Sequence, residues 1–179
     1  MNRRKAILKL VLSGLFLGLA LVMPFLTGQI PQIGAMLCPM HIPVLLCGFF
    51  CGPLWGGVIG LIAPILRSLT LGMPPLFPTA VCMALELLTY GAVSGVMHKI
   101  LPKKKGFIYL SLIVAMLVGR GVWGIAMLAC TSFSGGTFAF SAFLAGAFIN
   151  AIPGIIVQLV LIPILVMVLD NPKILNRNR

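Results

Sequence analysis

Acidic residues are almost missing from this chain, whose 179 residues include two Asp or Glu residues against thirteen Lys or Arg residues. Charged residues make up 8% of the sequence, whereas soluble domains carry about a quarter. Apolar residues make up 60%, and the mean hydropathy is +1.16. This composition excludes an ordinary soluble domain and predicts a protein that crosses a membrane several times.

Sequence motifs for catalysis, metal binding and nucleotide binding are also missing. The five cysteines lack the close paired spacing that zinc and redox sites need. The sequence has no G-x-x-x-x-G-K-[ST] phosphate loop, so any ATP dependence must come from a partner. His41 and His98, the two histidines, lie far apart in the predicted topology. We therefore expect no enzyme activity, no catalytic residue, no metal and no cofactor.

Eleven of the thirteen basic residues fall in three clusters, within residues 3–9, 99–105 and 173–179. These residues flank apolar spans and form no amphipathic stripe, so the net charge of +11 does not indicate nucleic-acid binding. Lys and Arg near span ends favour the cytoplasmic side. All three clusters are therefore predicted to be cytoplasmic, with an even number of crossings between them.

About 20 apolar residues of helix cross a bilayer, so the spans follow from length and from helix-breaking residues. We predict one integral membrane domain over residues 1–179, an all-α six-helix bundle with both termini cytoplasmic and with helix 2 short or broken. Helix 6 is longer than the hydrocarbon is thick, so Pro153 and Pro163 are predicted kink points. The predicted spans are residues 6–25, 40–51, 54–71, 78–97, 107–130 and 141–169.

Residues 37–66 could cross the membrane once or twice. A single crossing would place the 99–105 cluster opposite the N-terminal cluster, against the positive-inside rule. Gly52-Pro53 supplies a turn, because glycine tolerates unusual dihedral angles and proline lacks an N–H donor. Two crossings are therefore predicted.

Between the basic clusters, the predicted spans contain three charged residues: Arg67, Glu86 and Arg120. A charge at a helix centre costs roughly 2.5–3.5 kcal/mol, so such groups face a cavity and one another. At a rise of 1.5 Å per residue, Glu86 lies about 12 Å from the outer start of helix 4. Both arginines lie late in helices that run outward. The charges therefore predict an outward-facing binding site.

Aromatic and polar residues extend this predicted site. Tyr90 and Trp123 share helix faces with Glu86 and Arg120, and aromatic walls beside a few polar groups are typical of small-molecule sites. An uncharged outer loop, residues 27–39, adds glutamines. The predicted substrate-binding residues are Gln32, His41, Arg67, Glu86, Tyr90, Arg120, Trp123 and Asn150.

Structural roles for these residues stay open at this point. Glu86 either contacts the ligand or neutralises Arg67 or Arg120, and in the second case one positive charge is left over. That surplus motivates the hypothesis that the ligand places a carboxylate, phosphate or other acceptor on an arginine, while Glu86 accepts a hydrogen bond from the ligand. Core packing is the alternative for Tyr90 and Trp123.

Small residues form a second pattern. Gly14 and Gly18, and again Gly56 and Gly60, have the small-xxx-small spacing that lets membrane helices approach closely. These glycines either pack within the bundle or form a docking face for another membrane protein.

Four further segments form a recognisable pattern: the basic N-terminal stretch, the loop after helix 1, the segment Pro39-Met40-His41-Ile42-Pro43-Val44, and the turn Gly52-Pro53-x-x-Gly56-x-x-x-Gly60. These segments resemble the substrate-binding S components of energy-coupling factor (ECF) transporters. Six predicted helices within 179 residues are similar as well. Where some S components dock through an Ala-x-x-x-Ala pair in helix 1, this chain has Gly14-x-x-x-Gly18.

The resemblance implies the high-affinity substrate-capture subunit of an ECF-type ABC importer in the bacterial cytoplasmic membrane. Such a subunit binds a small water-soluble vitamin or vitamin precursor from outside and docks on a transmembrane coupling protein with two cytoplasmic ATPases. A pantothenate-like carboxylate would suit Arg120, and a pyridoxine-like ring would suit Glu86 with an aromatic wall. The alternative is an autonomous small secondary transporter or channel, which would need a polar path to the inner face.

Overall fold

The computed structural model describes residues 3–27, 30–102, 104–133, 135 and 140–169, and their regular secondary structure is helical. A short 3-10 helix, Met23–Thr27, extends the first α-helix. Short π-helical segments at Leu76–Ala80 and Ala145–Ile149 precede the fifth and eighth α-helices. The helices are α1 (Arg3–Val22), α2 (Pro31–Leu37), α3 (His41–Cys51), α4 (Pro53–Leu71), α5 (Val81–Ile100), α6 (Lys105–Phe133), α7 (Phe140–Leu144) and α8 (Ile152–Leu169).

Five helical segments in the described chain are long and apolar enough to cross a membrane. The apolar helix α3 has 11 residues, a length of about 16 Å at 1.5 Å per residue, which is short of a hydrocarbon core of roughly 30 Å. The prediction of an all-helical membrane protein with a short second helix is confirmed. The five segments are Ala6–Leu26, Pro53–Leu71, Leu76–Ile100, Lys105–Phe133 and Ile152–Leu169.

The segment after α1, which the sequence predicts to be an outer loop, contains a helix. Helix α2 starts at Pro31, and proline is favoured in a first helical turn because that turn leaves N–H groups unpaired anyway. The helix ends at Cys38, whose backbone is left-handed with φ +47° and whose N–H donates to the Gly34 carbonyl oxygen at 3.0 Å. Seven residues are too few for apolar periodicity to reveal such a helix.

The predicted sixth span, residues 141–169, is wrong as a single helix. It is divided into α7, the wide turn Ala145–Ile149, and α8, with Asn150 and Ala151 in a turn between them. The break falls immediately before Pro153, in the first turn of α8, where its missing N–H costs no helical hydrogen bond. Pro163 stays inside α8.

The Gly52-Pro53 turn is confirmed. Gly52 ends α3 with φ +96°, and its N–H donates to the Gly48 carbonyl oxygen at 3.1 Å. Pro53 begins α4. A positive φ of this kind suits glycine because an added Cβ would be strained there, so the chain passes from α3 to α4 through a single non-helical residue.

Helix α5 lies at the centre of the bundle, packed against α3, α4 and α6. Glycines allow this close approach. A Cβ on Gly91 of α5 would collide with the backbone of Gly56, and one on Gly60 would collide with the Leu87 carbonyl group. The structure therefore places Gly56 and Gly60 inside the bundle, the first of their two predicted roles.

The other predicted pair of small residues faces outward. Gly14 and Gly18 are exposed, and a Cβ added to either would meet open space. The exposed face of α1 also carries large apolar side chains, including Val11 and Leu15. Among the residues that the structure describes, none packs against Gly14 or Gly18 closely enough to meet an added Cβ.

Replacing Gly91 by alanine tests the α4–α5 contact. Because the added methyl group would meet backbone rather than a flexible side chain, we expect Gly91→Ala to destabilise the protein by roughly 1–3 kcal/mol. The matched control is Gly14→Ala, which adds the same group in open space. Thermal unfolding in detergent should show a lower melting temperature for Gly91→Ala alone, and equal melting temperatures would contradict this account of the contact.

Candidate functional site

A buried ion pair joins α5 and α6. Nη1 of Arg120 lies 3.1 Å from Oε1 of Glu86, and the two residues are 6% and 2% exposed. Arg120 falls four residues after Met116 and eight after Leu112, so these three share the buried face of α6. An opposite charge at this distance is what makes either charge tolerable away from water.

The start of α3 brings one further group to the pair, His41, and the end of α2 brings another, Cys38. Nε2 of His41 lies 3.6 Å from Oε1 of Glu86, and the His41 ring meets the Tyr90 ring edge to face with centroids 5.2 Å apart. Nη2 of Arg120 donates to Sγ of Cys38 at 3.7 Å. Three helices thus converge on one set of residues, His41, Glu86, Tyr90 and Arg120, which we call the polar cluster.

Gly119 sets the position of the Tyr90 ring. A Cβ at Gly119 would collide with two carbon atoms of that ring, so the phenol packs directly on the backbone of α6. Tyr90 is fully buried. Glycine beside Arg120 therefore lets an aromatic ring of α5 lie next to the ion pair.

Much of the hydrogen-bonding capacity of these residues is unused. In the described part of the chain, the buried side-chain nitrogen and oxygen atoms without a hydrogen-bond partner belong to five residues: His41, Glu86, Tyr90, Arg120 and Gln158. Oε1 of Glu86 has Nη1 of Arg120 at ion-pair distance without hydrogen-bond alignment. Buried polar groups are normally hydrogen-bonded, so the unpaired atoms of the polar cluster require an explanation, and ligand binding is one.

A cleft of about 250 Å³ lies between α6 and α8 and reaches the polar cluster at Arg120. Its remaining lining is apolar. Nε of Arg120 is buried and has no hydrogen-bond partner among the described residues. The accessible wall of the cleft is therefore apolar, and the buried guanidinium group of Arg120 contributes no polar surface to it. The lining residues are Ile113, Met116, Leu117, Arg120, Ile155 and Leu159.

The model of the family described as "ECF transporter, substrate-specific component" matches residues 8–166, which is most of the 179-residue chain. The chain belongs to this family. Comparison with curated proteins and with solved structures gave no match. The resemblance to S components is thereby confirmed, and the five apolar helices fit a multi-pass membrane protein.

Members of this family are substrate-binding subunits of transporters rather than enzymes. They bind small-molecule substrates and associate with a membrane coupling protein and ATPases. In this S component, the polar cluster and the cleft between α6 and α8 are the candidate substrate site.

Arg67 lies outside the polar cluster. Its Nη1 donates to the Leu21 carbonyl oxygen at 2.8 Å, and its guanidinium lies 5.4 Å from the centroid of the Phe25 ring. The last carbonyl groups of a helix lack intrahelical donors and favour a nearby cation, and α1 ends at Val22. The structure thus pairs Glu86 with Arg120, and it assigns Arg67 to the end of α1.

Of the remaining predicted site residues, the structure describes the side chains of Trp123 and Asn150. Trp123 stacks on Phe143 of α7, with ring centroids 6.3 Å apart. Asn150 is exposed in the turn before α8, and its N–H donates to the Ala145 carbonyl oxygen at 2.9 Å. Gln32 belongs to α2, but its side chain lies outside the described part of the structure.

The predicted site omits two buried residues, Cys38 and Gln158. Cys38 contacts Arg120, although its spacing gives no sign of more than a buried thiol. Gln158 is fully buried on α8. The available signal for Gln158 is that it is a lone amide in an otherwise apolar helix.

Neutralising the ion pair one residue at a time tests its strength. Glu86→Gln or Arg120→Gln alone leaves a buried charge unpaired, which costs roughly 3–5 kcal/mol. The double variant Glu86→Gln/Arg120→Gln removes both charges, so its melting temperature in detergent should fall by less than the sum of the two single shifts. Additive shifts would show that the two side chains do not stabilise each other.

Proposed function

We propose that this S component captures a small water-soluble vitamin or vitamin precursor with high affinity for an ECF-type importer. The observation that carries the proposal is the set of unpaired buried polar atoms in the polar cluster, next to a cleft of about 250 Å³. Small-molecule sites usually combine an apolar wall with a few placed polar groups. Family membership supports the same role.

The charge of the polar cluster favours one of the two predicted ligand types. Glu86 and Arg120 cancel each other at 3.1 Å, and Arg67 is engaged at the end of α1. With His41 neutral, the polar cluster therefore carries no net charge, and the surplus positive charge expected from the sequence lies outside it. A pyridoxine-like ring, uncharged and able to donate and accept hydrogen bonds, fits this balance better than a pantothenate-like carboxylate.

The direction of capture follows from the basic clusters. We place both termini and residues 99–105 on the cytoplasmic side of the bacterial cytoplasmic membrane by the positive-inside rule. Cys38, at the end of α2, and the start of α3 then lie toward the outside, together with the polar cluster that contacts them. This orientation supports uptake from the external medium.

Replacing Arg120 tests the assignment of the site. We expect Arg120→Gln to weaken binding of the solute that co-purifies with the wild-type protein by at least roughly 30-fold, or about 2 kcal/mol. Mass spectrometry of the detergent-solubilised protein identifies the solute, and isothermal titration calorimetry measures its affinity. Arg67→Gln makes the same substitution outside the polar cluster and should keep wild-type affinity.

Size-exclusion chromatography establishes whether both arginine variants are folded. A folded Arg120→Gln protein with wild-type affinity would reject the site. Equal loss of affinity in both variants would show that the effect follows lost arginine charge in general rather than this position.

Energy for release must come from a partner, because the sequence has no phosphate loop. We propose that the exposed α1 face around Gly14 and Gly18 docks on the transmembrane coupling protein that carries two cytoplasmic ATPases. The open space beside both glycines supports this role, since small residues allow a second helix to approach closely.

Bulky substitutions test the docking face. Gly14→Leu/Gly18→Leu should abolish co-purification with the coupling protein and ATPases while leaving ligand affinity unchanged, because both positions lie on the open side of α1. Gly121→Leu, at an equally open glycine of α6, is the matched control. Solute accumulation by the S component alone in sealed vesicles would instead favour an autonomous carrier.

A further inference from the structure

Two thiol groups meet near one end of the contact between α5 and α6. Sγ of Cys82, the second residue of α5, donates to Sγ of Cys130 at 3.6 Å, and Cys130 lies three residues before Phe133, the last residue of α6. An S–S bond measures about 2.05 Å, so the two sulfur atoms are in contact without being bonded. Because residues 82 and 130 are 48 apart in the sequence, helix packing brings them together.

The face of α5 that carries Cys82 also carries residues of the polar cluster. Cys82, Glu86 and Tyr90 recur every four residues and are all buried. Glu86 meets Arg120 of α6 at 3.1 Å. The contact between Cys82 and Cys130 therefore lies one helical turn of α5, about 6 Å, beyond the ion pair.

The two thiols differ in accessibility. Cys82 is 0% exposed, whereas Cys130 is partly exposed. Helix α6 begins at Lys105, in the basic cluster of residues 99–105, and Cys130 lies near its other end. With that cluster on the cytoplasmic side, as proposed above, the two thiols lie toward the outside, away from the reductants that keep cytosolic thiols reduced. An oxidant from outside would reach Cys130 first and leave Cys82 as the second thiol.

We propose that Cys82 and Cys130 are a site of disulfide formation that ties α5 to α6 beside the candidate substrate site. The oxidant is a small-molecule disulfide, RSSR. The Cys130 thiolate attacks one sulfur atom of RSSR, which forms a mixed disulfide with Cys130 and releases RS⁻. The Cys82 thiol then loses its proton and attacks the Cys130 sulfur, which releases a second RS⁻. Two electrons pass from the cysteines to RSSR, and the two thiol protons end on two RSH molecules.

The bond requires a small movement. The sulfur atoms must approach by roughly 1.5 Å, from 3.6 Å to the length of an S–S bond. Rotation of the side chains about their Cα–Cβ bonds moves a sulfur atom on this scale. The bond closes a loop that contains Glu86 and Arg120, and such a cross-link stabilises a fold by restricting the unfolded chain. Oxidation should therefore strengthen the contact between α5 and α6 that holds the ion pair.

Treatment of the purified protein in detergent with a dithiodipyridine, an uncharged aromatic disulfide, tests the site. Each bond between Cys82 and Cys130 releases two pyridinethione molecules, whereas a thiol that is merely capped releases one. We expect mass spectrometry without prior reduction to find the peptides of Cys82 and Cys130 linked in the wild type. Cys130→Ser should give no such link. Cys51→Ala, which removes a thiol of α3 outside the pair, should give the same link as the wild type.

Thermal unfolding measures what the link does to the helix contact. We expect the linked wild type to melt at least about 4 °C above the reduced wild type, and dithiothreitol to reverse the shift. Cys130→Ser should melt at the same temperature before and after treatment with the oxidant. If Cys130→Ser does not fold, Cys82→Ala replaces it.

Three outcomes would overturn the inference. Wild-type protein in which neither thiol reacts shows that the oxidant does not reach the pair. Stable capping of Cys130 without a link shows that Cys82 cannot reach the mixed disulfide. A link that leaves the melting temperature unchanged shows that the bond does not restrain α5 and α6. The proposed function is tested separately by ligand binding, and it stands or falls independently of these results.

Discussion

The buried pair of Glu86 and Arg120 is the interaction on which the architecture of the site depends. Each charge would be expensive alone in a membrane bundle, so each requires the other at the observed 3.1 Å. The pair therefore fixes the register between α5 and α6. Because Arg120 also contacts Cys38 and Glu86 lies near His41, the same two charges position the start of α3.

Backbone contacts make this register possible. Helix α5 approaches α4 through Gly56, Gly60 and Gly91, and it approaches α6 through Gly119, against which the Tyr90 ring packs. Side chains at these positions would separate the helices. Packing, rather than a hydrophobic driving force, holds helices together in lipid. The glycines thus let the charged and aromatic groups come within reach of one another.

Much of the fold is predictable from the sequence, because its strongest signals are local. Apolar length and the basic clusters give the helices, and Gly52-Pro53 gives the turn between α3 and α4. The break before α8 is not predictable in the same way, since residues 141–169 are mainly apolar and Pro153 is compatible with either a kink or a helix start. Helix α2 is too short to leave a periodic pattern.

The site is less predictable than the fold, because which side chains contact one another depends on how the helices pack in three dimensions. Depth along the helices indicates that Glu86 and Arg120 can meet, and they do. Depth along the helices also predicts that Arg67 lies with them, whereas the Arg67 side chain donates to the Leu21 carbonyl oxygen. Every helix end offers such carbonyl acceptors, and no sequence pattern marks them. Gln158 stands out in the sequence as a lone amide of an apolar helix, but its burial is known only from the structure.

The enclosure of α3 has a consequence for how the membrane acts on this protein. Ten of its eleven residues are buried, from His41 to Cys51 with Phe50 as the exception. Its short length therefore creates no mismatch with the surrounding acyl chains, because protein and not lipid covers it. Changes in bilayer thickness act first on α1, whose apolar residues are largely exposed. Helix α1 can therefore adjust its tilt while α3 keeps its packing in the bundle.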